Sequence, residues 1–383
     1  MSKTLFERFL KKGVKQGRLG IVYADGSAQT YGEPEEGFPE IVLRFTDAKV
    51  PRDIIMDPRL GAAEAFMDGR LIVEEGDIMG LVTLLRMNNP WDKGGDIGPP
   101  SLLRRVVNSA SFAAEKVNNR ISSKNNVAHH YDIGNDFYAL MLDEEHWQYS
   151  CGYWPSDDIT LGEAQTAKLA HIAAKLAIKP GQKVLDIGCG WGGMAIFLAQ
   201  NYNVEVVGIT LSEEQIALAK QRVEAAGVAD RVSIELVDYR DFAAAGRKFD
   251  RIVSVGMFEH VGQPQFETFF EACGKLLTDD GVMLLHTIGR MGGPGSTDAF
   301  TRKYIFPGGY IPALSETVEA SEKFRLIATD VETLRVHYAK TLRQWYANCL
   351  ANREAMVAMY DERFFRMWTF YLAGAATVFE SGS

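Results

Sequence analysis

Gly188, Gly190 and Gly192 alternate in VLDIGCGWGG, a β-branched run that ends in a tight glycine turn and passes into helix-forming residues. Glycines at such a turn let the backbone approach a ligand that a β-carbon would hold away. The spacing is GxGxG where the dinucleotide fingerprint is GxGxxG, and the next strand-like run ends GITLS, with Thr210 and Ser212 and no carboxylate. A second stretch, QYSCGYW, sets Cys151 among three aromatic rings. A thiol there could be a nucleophile, a metal ligand, half of a disulfide or part of a wall. Cys151 has no basic neighbour in sequence to lower its pKa, and rings raise it, so it is predicted to be a wall residue rather than a reactive thiol. The four cysteines, Cys151, Cys189, Cys273 and Cys349, lie far apart without a CxxC pair or metal-ligand spacing, which argues against both a disulfide framework and a metal centre. His129, His130 and His260 are read as structural.

These residues need a scaffold, and the chain of 383 residues, 46% hydrophobic and 24% charged, is long enough for two or three globular domains. Residues 1–90 read as a small α+β domain for binding or assembly: IVYADGSAQTYG carries an Asp-Gly turn, EIVLRFTD and RDIIMD are β-branched runs, and LGAAEAFMDG and DIMGLVTLLRMNN are helix-like. Residues 91–128 form a linker, Pro/Gly-rich at its start and locally basic through Arg104, Arg105, Lys116, Arg120 and Lys124. Residues 129–383 form the chemical domain. Its runs KVLDIG, VEVVGIT, VSIELVD, FDRIVSVG, GVMLLHTIG and FRLIATDVETL alternate with helical segments, as in an α/β, doubly wound parallel sheet. The sheet is expected to lack a last strand, because the chain stops at FESGS after a helical segment. A Gly-rich loop at 290–309 is too long for an ordinary connection and is expected to be functional.

A net charge of −9 argues against a global grip on nucleic acid. Residues 1–20 are nonetheless basic, with Leu5, Phe6, Phe9, Leu10 and Val14 at roughly helical spacing. That helix either packs its apolar stripe on its own domain or lies on a phospholipid surface; the sequence leaves both open. The N-terminus lacks a signal peptide, and FFRMWTFYLAGAATVF is interrupted by Arg366 and short of the roughly 20 residues of a membrane span, so a cytoplasmic, peripherally membrane-associated protein is expected.

With Asp186 before the glycine turn, and ITLSEEQ and VDYRDF after it, the chain resembles the S-adenosylmethionine-dependent methyltransferases. On that resemblance Gly188 and Gly190 face the methionine part, Thr210 and Gln215 the ribose, and Asp238 and Tyr239 the adenine, with Tyr149, Ser150, Gly192, Leu211 and Gly256 completing the cofactor set. HHYDIGNDFYALML, QYSCGYW, SVGMFEHVG, LLHTIG and RVHYAKTLRQW stand in the order found in the cyclopropane-fatty-acyl-phospholipid synthase family and its mycolic acid relatives, which the chain resembles over nearly its whole length. The resemblance implies methylene transfer from S-adenosylmethionine to the cis double bond of unsaturated phospholipid acyl chains. It implies a base, bound bicarbonate, held by the side chains of Glu259, His286 and Tyr338 and by the backbone at Cys151 and Ile288. Tyr131, Phe137, Tyr149, Tyr153 and Trp154 are candidates to line an acyl channel, where ring faces attract a cation. Taken singly, His286 could be a buried core histidine and Glu259 a helix cap. The partners implied are the phospholipid surface and a second copy of the chain in a homodimer. A methyl- or methylene-branched product and an inactive lipid-binding scaffold are the competing readings.

Overall fold

The computed structural model describes residues 2–58, 60–89, 133–290 and 292–381. The chain forms two compact units, 1–102 with 298–305 and 335–383, and 103–297 with 306–334.

The first unit is built on a four-stranded sheet of β1 (Arg18–Val22), β2 (Ala28–Tyr31), β3 (Glu40–Phe45) and β4 (Leu71–Glu75), in the order β2-β1-β3-β4. The expected Asp-Gly turn closes the β1–β2 hairpin: Gly26 has φ +80° and Tyr23 N–H donates to the Ser27 carbonyl at 2.8 Å. RDIIMD is no strand but part of the helix Val50–Met56, with Pro51 in its first turn, where a missing N–H costs nothing. The strand in that region is LIVEE, β4. The opening helix, Ser2–Gly13, divides its apolar residues: Phe6 and Leu10, with Val14 just beyond, are buried on their own unit, whereas Leu5 is 52% and Phe9 36% exposed.

The C-terminal helices Arg335–Ala351, Arg353–Met359 and Glu362–Ser381 pack into this unit rather than with the residues that precede them. Phe370 meets Phe66 at 6.3 Å, and Tyr346 Oη donates to Asp77 Oδ2 at 3.0 Å, Asp77 being the N-cap of the helix Ile78–Asn88. Residues 298–305 join in as well, Lys303 and Tyr304 both reaching Glu64 Oε1, at 2.7 and 2.8 Å. Among the described residues no helix is long and apolar enough to cross a membrane.

The second unit holds β5 (Lys183–Ile187), β6 (Glu205–Thr210), β7 (Val232–Leu236), β8 (Phe249–Val255) and β9 (Leu277–His286), all parallel, in the order β7-β6-β5-β8-β9. Both sheet faces are covered, which explains the unbroken apolar runs. Val184, Val206 and Val253 enter one core with the helices Leu161–Lys175, Gly193–Tyr202 and Glu213–Ala225. Leu185, Ile209 and Ile252 enter the other with Tyr239–Ala244 and Phe266–Leu276.

The sixth expected strand, FRLIATDVETL, is not formed. Arg325 takes a left-handed φ of +60°, and Glu332 is drawn to His171 Nε2 (2.7 Å) and Lys175 Nζ (2.8 Å), with Asp330 also paired to Lys175. Charge pairing thus lays this segment along the helix Leu161–Lys175, and Ile327 and Val331 stay exposed.

Candidate active site

One cavity opens in the second unit at the carboxyl ends of β5, β6 and β8, where a doubly wound sheet offers its crevice. Gly188 (φ +80°) and Gly190 (φ +54°) form its floor. A β-carbon at Gly188 would stand 2.7 Å from Met257 Cβ, whereas over Gly190 no atom lies within 4 Å. Space for a ligand therefore lies above Gly190. Asp186, 2% exposed, precedes the turn with Oδ2 sealed and unpartnered; burial pushes its carboxyl up to about 7 and nearby Lys168 pulls it down.

Thr210 ends β6, its hydroxyl donating to Gln215 Oε1 at 3.1 Å and accepting from the Ser212 N–H at 3.2 Å; Ser212 in turn caps the helix Glu213–Ala225. Beyond β7, Asp238 caps the helix Tyr239–Ala244, and its carboxylate takes Arg240 Nε (2.7 Å) and Nη2 (2.5 Å). Of the expected cofactor residues, Tyr149, Ser150, Gly188, Gly190, Thr210, Leu211, Gln215, Asp238, Tyr239 and Gly256 all line this cavity. Gly192 does not; it faces Ala219, where a β-carbon would sit 3.5 Å from Ala219 Cβ.

Another part of the wall is a lip, the loop 143–150, whose residues 147–150 line the cavity and which motif reading did not pick out before Gln148. The buried Asp143 carboxylate accepts the N–H groups of His146 (2.6 Å), Trp147 (3.1 Å) and Gln148 (2.8 Å). Arg222 holds the same loop from outside, donating to the carbonyls of Glu145 (2.6 Å) and Trp191 (2.7 Å). Trp147, left-handed at φ +54°, is thereby set edge-on to Trp191 at 5.8 Å, and both rings line the cavity. His260, read as structural from sequence, also lines it, with its imidazole driven down to about 4 by burial and its ring edge-on to Phe306 at 5.7 Å.

The expected channel aromatics divide. Only Tyr149 is on the cavity wall; Phe137 and Trp154 are buried elsewhere, Tyr153 stacks on His171 at 4.3 Å, and Tyr131, like His129 and His130, lies outside the described residues.

Of the five residues expected to serve the anion, four belong to this unit. Glu259 follows β8, and its Oε1 accepts the Ile288 N–H at 2.6 Å, while Oε2 is sealed and unpartnered; burial raises its pKa. His286 ends β9, two residues before Ile288. Its Nδ1 is likewise sealed and without a partner, and burial holds its pKa down at about 4, so the ring is neutral at physiological pH. The Ile288 amide expected to face a ligand is thus occupied by Glu259. Cys151 is buried, its thiol directed at the carbonyls of Gly152 (3.3 Å) and Leu334 (3.8 Å). Tyr338 is carried by the helix Arg335–Ala351 of the first unit, with its ring against Phe379 at 4.8 Å. Among the described residues no cluster could hold a metal ion.

The sheet order, the glycine turn after β5 and the polar ends of β6 and β7 define a cofactor-binding enzyme of the S-adenosylmethionine-dependent methyltransferase class. The chain belongs to the family described as mycolic acid cyclopropane synthetase, whose profile matches residues 118–383. A "probable fatty acid methyltransferase" of Pseudomonas putida is 37% identical over 333 residues, covering 82% of this chain and 84% of that protein. The cyclopropane-fatty-acyl-phospholipid synthase of Escherichia coli K12 is 45% identical over 252 residues, 66% of this chain and 63% of the relative's length. Among solved structures, the mycolic acid cyclopropane synthase CmaA1, crystallised with SAH and CTAB, is 38% identical with a TM-score of 0.63, covering 68% of this chain and 94% of that one.

Proposed function

We propose that this protein transfers a methylene group from S-adenosylmethionine to the cis double bond of unsaturated phospholipid acyl chains, with bicarbonate as the base. The observation that best supports this reading is that two of the implied anion ligands each carry a sealed, partnerless polar atom, Glu259 Oε2 in the turn after β8 and His286 Nδ1 at the end of β9: buried polar groups are otherwise paired, and such atoms suit a small ligand able to donate and accept, although neither residue is among those lining the cavity. Asp186 Oδ2 and the open space over Gly190 suit the cofactor in the same way.

When bound, S-adenosylmethionine supplies an electrophilic methyl group, and bicarbonate a base for the proton that ring closure releases. The chain's own residues do the rest. Gly188 and Gly190 take the methionine part, Thr210 and Gln215 the ribose, and Asp238 with Tyr239 the adenine. Trp147, Tyr149 and Trp191 exclude water and offer ring faces to the cationic hydrocarbon, worth roughly 1–2 kcal/mol each when desolvated. Glu259 and neutral His286 hold the anion, Ile288 fixes Glu259 through its amide, and Cys151 contributes backbone alone.

The first unit is proposed to dock the protein peripherally on anionic lipid from the cytoplasmic side and to form a homodimer, while the loop 290–309 gates the acyl chain. Exposed Leu5 and Phe9 lie beside Arg8, Lys11, Lys12 and Lys15, and Lys11 and Lys12 make no ion pair among the described residues. The Pseudomonas putida relative's name favours a second reading, a branched rather than ring product from the same site. Incubation with labelled S-adenosylmethionine and unsaturated phospholipid vesicles, with and without bicarbonate, tests both: label should enter lipid, faster with bicarbonate, in a product that behaves as a ring under ring-specific derivatisation. No transfer to lipid would overturn the reading, and a branched product would install the second.

A further inference from the structure

Lys168 is 2% exposed on the helix Leu161–Lys175, which a Thr160–Glu163 capping box starts. Burying an ammonium costs several kcal/mol, and a methionine would fill the same space without that cost. Something must use the charge. Its Nζ donates to Ser150 Oγ at 3.1 Å and to Gln148 Oε1, while Gln165 on the same helix, fully buried, donates its Nε2 to the Ser150 carbonyl at 3.0 Å. One helix face thus holds the strip 148–150 by side chains and backbone together. Lys168 itself does not reach the cavity, whereas Gln148, Ser150 and Asp186 line it.

The consequence is one of polarity. A serine hydroxyl and a glutamine amide can each present a donor or an acceptor, but an ammonium is a donor only. Once Lys168 occupies Ser150 Oγ and Gln148 Oε1 as acceptors, the serine O–H and the amide N–H are the groups left to point elsewhere. One such N–H meets the His146 carbonyl at 3.2 Å. The same cavity is lined by Asp186, whose unpartnered Oδ2 is an acceptor. Donors and an acceptor in one lining match the carboxylate and ammonium of an α-amino acid.

We propose that Lys168 is a positioning residue that turns Gln148 and Ser150 so that their donors face the cavity, making this wall a reader of the cofactor's amino-acid tail. This rests on the cofactor reading above. Burial lowers the Lys168 pKa to about 8, which leaves it cationic at neutral pH.

The test is calorimetric binding of S-adenosylhomocysteine and of 5′-methylthioadenosine, which keeps the nucleoside and thioether but lacks the amino-acid tail, at pH 7. In Lys168→Met, S-adenosylhomocysteine affinity should fall about tenfold or more while that for methylthioadenosine changes by less than about threefold. Ser150→Ala, which leaves the core intact, should show the same selective loss in smaller measure and decides the matter if Lys168→Met does not fold. Equal losses for both ligands, or no loss for either, would overturn the proposal. A wild-type protein that binds neither ligand would instead overturn the cofactor reading itself.

Discussion

Gly193→Ala is the sharpest perturbation of the cavity's lip. Gly193 opens the helix Gly193–Tyr202, and a β-carbon there would lie 2.0 Å from the His146 carbonyl oxygen and 2.5 Å from Gln148 Nε2. Alanine in place of glycine is worth at most about 1 kcal/mol to a helix, and less in its first turn. Overpacking against a fixed neighbour costs about 1–3 kcal/mol. The carbonyl has little freedom to yield, since Asp143 holds the N–H groups of residues 146, 147 and 148 from one side and Arg222 grips the carbonyl of Glu145 from the other. Overpacking therefore wins, by about 1–2 kcal/mol, or roughly 2–8 °C in Tm. Because Trp147 and Gln148 move with the lip, S-adenosylhomocysteine affinity should drop as well. Gly162→Ala is the control: it sits in the helix Leu161–Lys175 with nothing within 4 Å of its β-carbon, so it should be neutral or slightly stabilising. Thermal melts and calorimetry on both variants decide the point. A Gly193→Ala protein that melts with wild type and binds the ligand equally would show that the lip is not seated on this helix.

Glu259→Gln keeps the shape of a side chain whose charge is penalised by burial, so its melting temperature should match or exceed wild type at pH 8 while kcat falls about 100-fold or more; activity within about threefold of wild type would remove Glu259 from the chemistry. Cys151→Ser should keep substantial activity, because only the residue's backbone is assigned a role, and complete loss in a folded, ligand-binding variant would contradict that. For His286 the sign follows from its pKa, about 4 when folded against about 6.5 when unfolded: between those values the unfolded chain binds a proton that the folded one does not, so this group costs stability as pH falls. Denaturant titrations should accordingly show His286→Asn gaining on wild type below pH 6.5, by up to about 3 kcal/mol near pH 4, and parallel curves would refute the buried neutral imidazole.

The five parallel strands were legible because both faces of the sheet are buried, which writes each strand as a short apolar run; Val184 and Leu185 enter opposite cores one residue apart. Cavity-lining residues such as Gly188, Thr210 and Asp238 were legible because they follow or end strands beside short turns, where local chemistry and position coincide. Tertiary charge pairing was not legible. FRLIATDVETL has strand-like composition, yet Asp330 and Glu332 tie it to His171 and Lys175. RDIIMD likewise reads as β-branched but starts a helix through Pro51. The placement of residues 335–383 with the N-terminal unit depends on helix faces meeting across the chain, such as Phe370 on Phe66, and no spacing rule encodes it. Lys168 escaped for the same reason, since nothing near it in sequence marks a buried lysine bonded to a cavity wall, while His260 was named but read as structural although it lines that cavity.

In the proposed reaction a methyl group delivered to an alkene gives up a proton and closes into a ring. Its most direct measurement uses S-adenosylmethionine with a fully deuterated methyl and monounsaturated phospholipid vesicles, followed by mass spectrometry and ring-specific cleavage of the product. The expected product is a cyclopropane that keeps all but one of the deuterons and forms faster when bicarbonate is supplied. A product that retains every deuteron, or one that carries no ring, would contradict it.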